Sequence, residues 1–235
     1  MIPKLIHYCW FGGKKKSYLT ELYINSWKRC MPDYQIIEWN EKNSPIMTNN
    51  FAKEAYDAKK YAFVADYVRL YALYNYGGIY LDTDVLALKS FDSFLSNKGF
   101  TCFETFNSYI LGTAVIGCEP KNEFIKSFLD YYATRHFVND GCYDVMANTF
   151  IFRFLLEPYG LVCNNKKQIL SNGFVIYPRT YFSAKINNKF DISKSTVCIH
   201  NFAESWISSK RKLKKKILNT ISYYRINRIL SKWSK

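Results

Sequence analysis

The sequence predicts an α/β fold around a mainly parallel sheet, and three features carry that expectation. The first forty residues read strand, helix, strand: an apolar run from Lys4 to Cys9, a helical pattern from Tyr18 to Cys30, and a second strand from Tyr34 to Trp39. Two strands joined through a helix pair in parallel, because only a crossover of that length lets the chain return in the same direction. Further on, a helical pattern from Tyr61 to Asn75 stops at Gly77-Gly78 and hands over to the short apolar strand Ile79 to Asp82. With 49% of its 235 residues apolar, the chain can fill one full core.

Each element has a local cause. After the first strand, Phe11-Gly12-Gly13 turns the chain out, and the next helix carries Leu19, Leu22, Tyr23, Ser26 and Trp27 at helical spacing until Met31-Pro32-Asp33 stops it. Phe51 to Lys59 reads as a short helix, and the one that follows ends at Gly77-Gly78, where glycine can take the left-handed C-terminal conformation. Gly99 to Glu104 and Ala114 to Gly117 read as strands, Asn122 to Thr134 and Val145 to Leu156 as helices, and Val175 to Tyr177 and Val197 to Asn201 as late strands. No linker divides residues 1–207, which gives one domain followed by a tail over 208–235.

Composition narrows the class. Seven cysteines, odd in number and without a C-x-x-C pair, support neither a zinc site nor a disulfide framework and read as reduced core thiols. The start lacks the apolar core of a secretion signal and no apolar run is long enough to span a bilayer, so a cytoplasmic protein is expected. The net charge of +14 is concentrated late: from Ser205 to Lys235 there are ten Lys and Arg and no acidic residue. Ile217, Leu218, Ile221, Tyr224, Ile229, Leu230 and Trp233 interleave with that charge at helical spacing. Such a segment either lies on an anionic membrane through residues 210–235 or packs as a solvated terminal helix. Without a recognised binding module, nucleic acid is not an expected partner.

Asp82-Thr83-Asp84 is the most informative run. In an extended segment residues i and i+2 project to one side, so both carboxylates can meet one hard cation, Mn2+ or Mg2+, with a phosphorylated substrate completing the shell. On the preceding helix Asp66 and Arg69 stand three apart on one face, as a helix ion pair or as a pair of sugar-binding groups. Trp10, at the tip of the first strand, is a core residue or a platform for a nucleobase. In the late run His200-Asn201-Phe202-Ala203-Glu204-Ser205-Trp206, the imidazole can be structural or can complete a metal shell. Ser205 or the Trp206 indole can donate to phosphate.

Taken in order, the strand Ile2 to Gly13, the helix Tyr61 to Arg69, the run Tyr76 to Val85 and the late His-x5-Trp resemble glycosyltransferase family 32 across residues 2–206. That resemblance implies a GT-A fold, a Rossmann-like nucleotide-binding domain with a mixed, mainly parallel sheet. It also implies retaining sugar transfer from a nucleotide-sugar donor, with uridine favoured by analogy, to a glycan or lipid-linked saccharide acceptor in capsular or surface polysaccharide synthesis. By position it implies that Trp10 stacks the base, Asp66 and Arg69 hold the donor sugar, and Asp82 lies near ribose and sugar and reaches the metal through water. Asp84 would bind the metal directly, His200 or Asn201 would complete the shell, and Trp206 with Ser205 would meet the diphosphate. The chain departs from the pattern in having His200-Asn201 where relatives show two histidines, and Ala65 where serine is usual. With the basic tail, the resemblance points to a peripheral enzyme on the inner face of a membrane. A peripheral membrane or nucleic-acid-binding protein with an inactive transferase-like domain is the competing reading.

Overall fold

A computed structural model describes residues 1–104, 110–186 and 189–202 of the chain. The expected tail over 208–235, the boundary at 207, and Ser205 and Trp206 lie outside the described residues. Strand β1 (Leu5–Cys9) is followed by helix α1 (Tyr18–Cys30), β2 (Gln35–Trp39), α2 (Asn50–Asp57), α3 (Tyr61–Tyr76), β3 (Gly78–Leu81), β4 (Val85–Ala87), β5 (Gly99–Cys102) and β6 (Val115–Cys118). Then come α4 (Glu123–Tyr131), the short hairpin β7 (Val138–Asn139) and β8 (Cys142–Tyr143), α5 (Asn148–Leu156), β9 (Gln168–Ile169) and β10 (Phe174–Tyr177). A second small hairpin, β11 (Lys185–Ile186) and β12 (Lys189–Phe190), precedes β13 (Cys198–His200).

Local chemistry sets the helix ends. Ser17 accepts from the Thr20 amide at the start of α1 and Asn49 from the Ala52 amide at the start of α2, each satisfying a donor the helix itself leaves free. Helix α5 begins three residues later than its apolar pattern predicts. Ala147 is extended, and the Met146 amide is taken by the Asp144 carboxylate, so the apolar residues Val145 and Met146 stay outside the helix.

Seven strands form the main sheet in the order β2-β1-β3-β6-β5-β10-β9. β1 pairs in parallel with β2 and β3, and β5 with β10, while β6 runs against β3 and β5 and β9 against β10. Five of the seven strands therefore run one way and β6 and β9 the other, a mixed sheet that is mainly parallel in strand direction, as expected. Side chains alternate between two cores: Ile79 and Leu81 face the layer of α1, with Trp27 and Phe91, whereas Tyr80 faces the layer of α3, α4 and α5, with Val68, Phe128 and Phe152. Four of the seven cysteines are buried and none is paired; Cys142, on the β7–β8 hairpin, is exposed. No helix among the described residues is long and apolar enough to cross a membrane.

This topology places the C-terminal ends of β1, β3 and β5 at one edge of the sheet, with Trp10, Asp82 and Glu104 beyond them. Ligands bind at such an edge in open α/β sheets. A two-stranded ribbon of β4 and β13 lies outside the main sheet, with His200 opposite Val85. β4 is absent from the sequence reading, since three apolar residues carry no period.

Candidate active site

Strand β3 ends at Leu81, and Asp82 and Asp84 sit on the turn that follows, not on the strand as their spacing predicts. The turn is closed by the Val85 amide on the Asp82 carbonyl at 3.0 Å, and the Asp82 amide is held by the Ala114 carbonyl at 2.9 Å. The two carboxylates converge because the chain doubles back. β4 then leaves the turn, and β13 runs along it from more than a hundred residues away.

That pairing brings in His200. Its Nε2 lies 3.4 Å from Asp84 Oδ1, and one ligand atom from each of Asp82, Asp84 and His200 lies within 4.8 Å of the others. His200 is the last residue of β13, and Asn201 lies just beyond it. The Asn201 side-chain nitrogen and backbone amide both donate to the Asp84 carbonyl, at 3.3 and 3.1 Å, and its Oδ1 has no hydrogen-bond partner among the described residues. Of the two residues named from the sequence, His200 is the one whose ring joins the aspartates. On the other side of the ring Nδ1 meets Glu104 Oε1 at 2.9 Å, and the Phe202 ring packs beside it, tilted by 39° with 4.2 Å between centroids.

Arg69 joins α3 to this turn. Buried at 6% side-chain exposure, its Nη2 lies 3.1 Å from Asp66 Oδ1 and 3.3 Å from Asp82 Oδ1, its Nη1 donates to the Thr113 carbonyl at 2.9 Å, and its Nε donates to the Ala65 carbonyl at 3.3 Å. The guanidinium also lies over the Tyr80 ring, 4.7 Å from its centroid. Asp66 in turn accepts from Asn148 Nδ2 at 2.5 Å, and Asn148 Oδ1 accepts from the Thr113 hydroxyl at 2.9 Å. Asp66, Arg69 and Asp82, named from the sequence, thus form one ion-paired row. Glu104 and Asn148 were not named, because neither belongs to a local pattern; only the fold brings them in.

Electrostatics follow from burial. Desolvation pushes the Asp66 carboxyl up to about 7 against the opposing pull of Arg69, and Asp82 adds to the rise. Asp82 is likewise raised by burial, with Arg69 opposing and Asp84 reinforcing. Burial alone would lower the His200 pKa, yet Asp84 and Glu104 hold it well above the usual histidine value. Two carboxylates and an imidazole that meet at this range are a donor set that could hold a divalent metal ion.

Trp10 stands at the tip of β1, half-buried against the α1-side core. Its indole N–H donates to the Lys14 carbonyl at 2.6 Å, and the Lys16 ammonium, paired with Glu38 at 2.6 Å, sits 5.5 Å from the ring centroid. The ring is therefore fixed at the sheet edge with part of its surface open.

Residues 18–101 match the family described as a glycosyltransferase sugar-binding region containing a DXD motif. The chain is 31% identical over 105 residues to inositol phosphoceramide mannosyltransferase 3 of Schizosaccharomyces pombe, covering 40% of this chain and 27% of that protein. It is 34% identical over 133 residues to an uncharacterized glycosyltransferase of Acanthamoeba polyphaga mimivirus, covering 52% of each. The chain thus spans about a quarter to a half of the length of these relatives. In three dimensions it resembles a crystal structure of a glycosyltransferase involved in glycosylation of the major capsid of PBCV-1, with a TM-score of 0.50 and 13% identity over 93% of this chain and all of that one. The sheet order and this likeness make the fold GT-A.

Proposed function

From a chain whose residues 18–101 carry the DXD-containing sugar-binding region of glycosyltransferases, we propose a metal-dependent enzyme that moves a hexose from a nucleoside diphosphate sugar to a saccharide or lipid-linked saccharide. The observation that carries this reading is the meeting of Asp82, Asp84 and His200 at the sheet edge, with Arg69 bridging Asp82 to Asp66 beside them. Asp84 and His200 would hold a Mn2+ or Mg2+ ion directly and Asp82 partly through water. When bound, the ion neutralises charge growing on the departing diphosphate.

The chain's own groups supply the rest. Asp66 and Arg69, fixed by Asn148 and the Thr113 carbonyl, offer an acceptor and a donor at fixed positions for sugar hydroxyls. Trp10 offers an aromatic surface for the base. Ser205 and Trp206, outside the described residues, would donate to the diphosphate. Following the resemblance to retaining transferases, we take the acceptor hydroxyl to attack from the leaving-group side, with no covalent intermediate on the row of Asp66, Asp82 and Asp84. Its proton would pass to the departing phosphate. Trapping a glycosyl ester on any carboxylate rules this out. Surface polysaccharide synthesis at the inner face of a membrane remains the cellular setting we assign, with residues 210–235 as the contact.

The test is a thermal-shift and hydrolysis panel of UDP- and GDP-sugars with and without Mn2+. One donor should raise the melting temperature and be hydrolysed only with metal. No metal-dependent shift by any donor would leave an inactive transferase-like domain. UDP donors remain our first reading. The relative named as an inositol phosphoceramide mannosyltransferase favours, as a second reading, a mannosyl donor and a lipid acceptor, and the mannose-bearing members of the same panel separate the two.

A further inference from the structure

We propose that Glu104 is a positioning residue that presents the Nε2 lone pair of His200 to the cation; the inference rests on the metal-site reading above. Glu104 follows the end of β5, and its backbone amide donates to the Ile110 carbonyl at 2.6 Å, so its main chain is anchored on the sheet edge. Its carboxylate and the imidazole are each 12% exposed and meet at 2.9 Å through Nδ1. A carboxylate accepts, so Nδ1 carries the hydrogen, and in the neutral ring Nε2 is left with its lone pair. Nε2 is the nitrogen that faces Asp84. Phe202 lies beside the ring at 4.2 Å between centroids and limits its tilt, but an aromatic neighbour cannot choose between tautomers. Without Glu104 the imidazole is free to carry its hydrogen on Nε2 and to donate it to Asp84, a state that cannot ligate. Carboxylate, histidine and metal in a row are how an outer group orients a ligand, and losing such a group typically weakens metal binding about 10- to 100-fold.

The test is calorimetric titration of the full chain with Mn2+ alone, for wild type, Glu104→Gln, Glu104→Asp and Glu104→Ala, with melting temperatures to confirm folding. Gln keeps an acceptor at the same reach without charge, whereas Asp keeps the charge but is one methylene shorter. Positioning therefore predicts Gln within about fivefold of wild type, and Asp and Ala about 10- to 100-fold weaker. If Asp binds like wild type and Gln binds like Ala, Glu104 acts through its charge or as a ligand, and the positioning role is overturned. If Ala binds like wild type, it is overturned as well. A wild-type chain that binds no Mn2+ instead sinks the metal reading itself, so the two failures are distinguishable.

Discussion

At Arg69 one guanidinium holds the Ala65 and Thr113 carbonyls and the Asp66 and Asp82 carboxylates, groups brought from three parts of the chain. Lysine has neither the fork nor the reach for four partners. Arg69→Ala leaves two largely buried carboxylates without their cation, so a stability loss of about 3 kcal/mol is expected in urea unfolding. A loss under about 1 kcal/mol would mean the carboxylates find water instead. Asp82 behaves in the opposite sense: burial and Asp84 both disfavour its charge. Asp82→Asn should therefore leave stability unchanged or slightly higher while sugar transfer falls a hundredfold or more. Normal turnover in that variant removes the metal argument. On β1, His7 is fully buried, with Nδ1 accepting from Trp39 Nε1 at 3.1 Å and Nε2 donating to the Gly77 carbonyl at 2.8 Å. Both nitrogens are satisfied only in the neutral ring, and burial lowers its pKa to about 4 from 6.5. Between those values the unfolded chain binds the extra proton, so this contribution is whole above pH 6.5 and is lost as pH falls towards 4. It amounts to about 3 kcal/mol. Urea midpoints from pH 7.5 to 4 should fall more steeply in wild type than in His7→Phe, and parallel curves would refute the assignment.

Helix α3 and strand β3 meet at Gly77-Gly78, and that corner sets how far Arg69 stands from Asp82. Gly78 has a φ of +97°, and a Cβ there would fall 2.7 Å from the Leu5 carbonyl oxygen of the neighbouring strand. Neither the backbone nor the sheet can give way cheaply. Gly78→Ala should cost more than about 1 kcal/mol in urea unfolding, and should weaken Mn2+ binding by shifting β3 under its turn. Unchanged stability with unchanged metal affinity would show the corner to be tolerant. This corner was legible in the sequence because glycine ends a helix for a local reason. The turn after it was not: the same-side rule for i and i+2 assumes extended backbone, and Asp82 and Asp84 converge by a fold-back that Gly-free residues 82–84 do not announce. The order of α1, β2 and α3 could be read from periodicity, since each is long enough to show one. β4 and its pairing with β13 could not, since three residues show no period and their partnership spans the chain. For the same reason Glu104 and Asn148 were invisible. Adjacent His200 and Asn201 are equal candidates in the sequence; in the structure the His200 ring meets the Asp84 carboxylate, whereas the Asn201 side-chain nitrogen donates to the Asp84 carbonyl.

Charge is the property that belongs to the whole molecule. Ten of the Lys and Arg residues fall between 205 and 235, so removing them takes the net charge from +14 to +4. The part of the chain before residue 205 is thus nearly balanced, and some of its charges pair with one another, as Lys4 does with Asp33 and Lys16 with Glu38. With most of the net charge there, the basic segment is the part expected to give the strong attraction to an anionic surface. Near such a surface each Lys or Arg contributes about 1 kcal/mol, an effect that fades over a Debye length of about 10 Å at 0.1 M salt. Deleting residues 208–235, which retains Ser205 and Trp206, should abolish sedimentation with phosphatidylserine vesicles at low salt while donor hydrolysis stays within about threefold. Wild-type sedimentation should fall as salt rises, since the charge term is screened while burial of Ile217, Leu218 and Trp233 is not. Vesicle binding by the shortened chain would place the contact on the transferase body instead. Loss of hydrolysis together with vesicle binding would mean that the basic segment packs on the domain and helps to build the site.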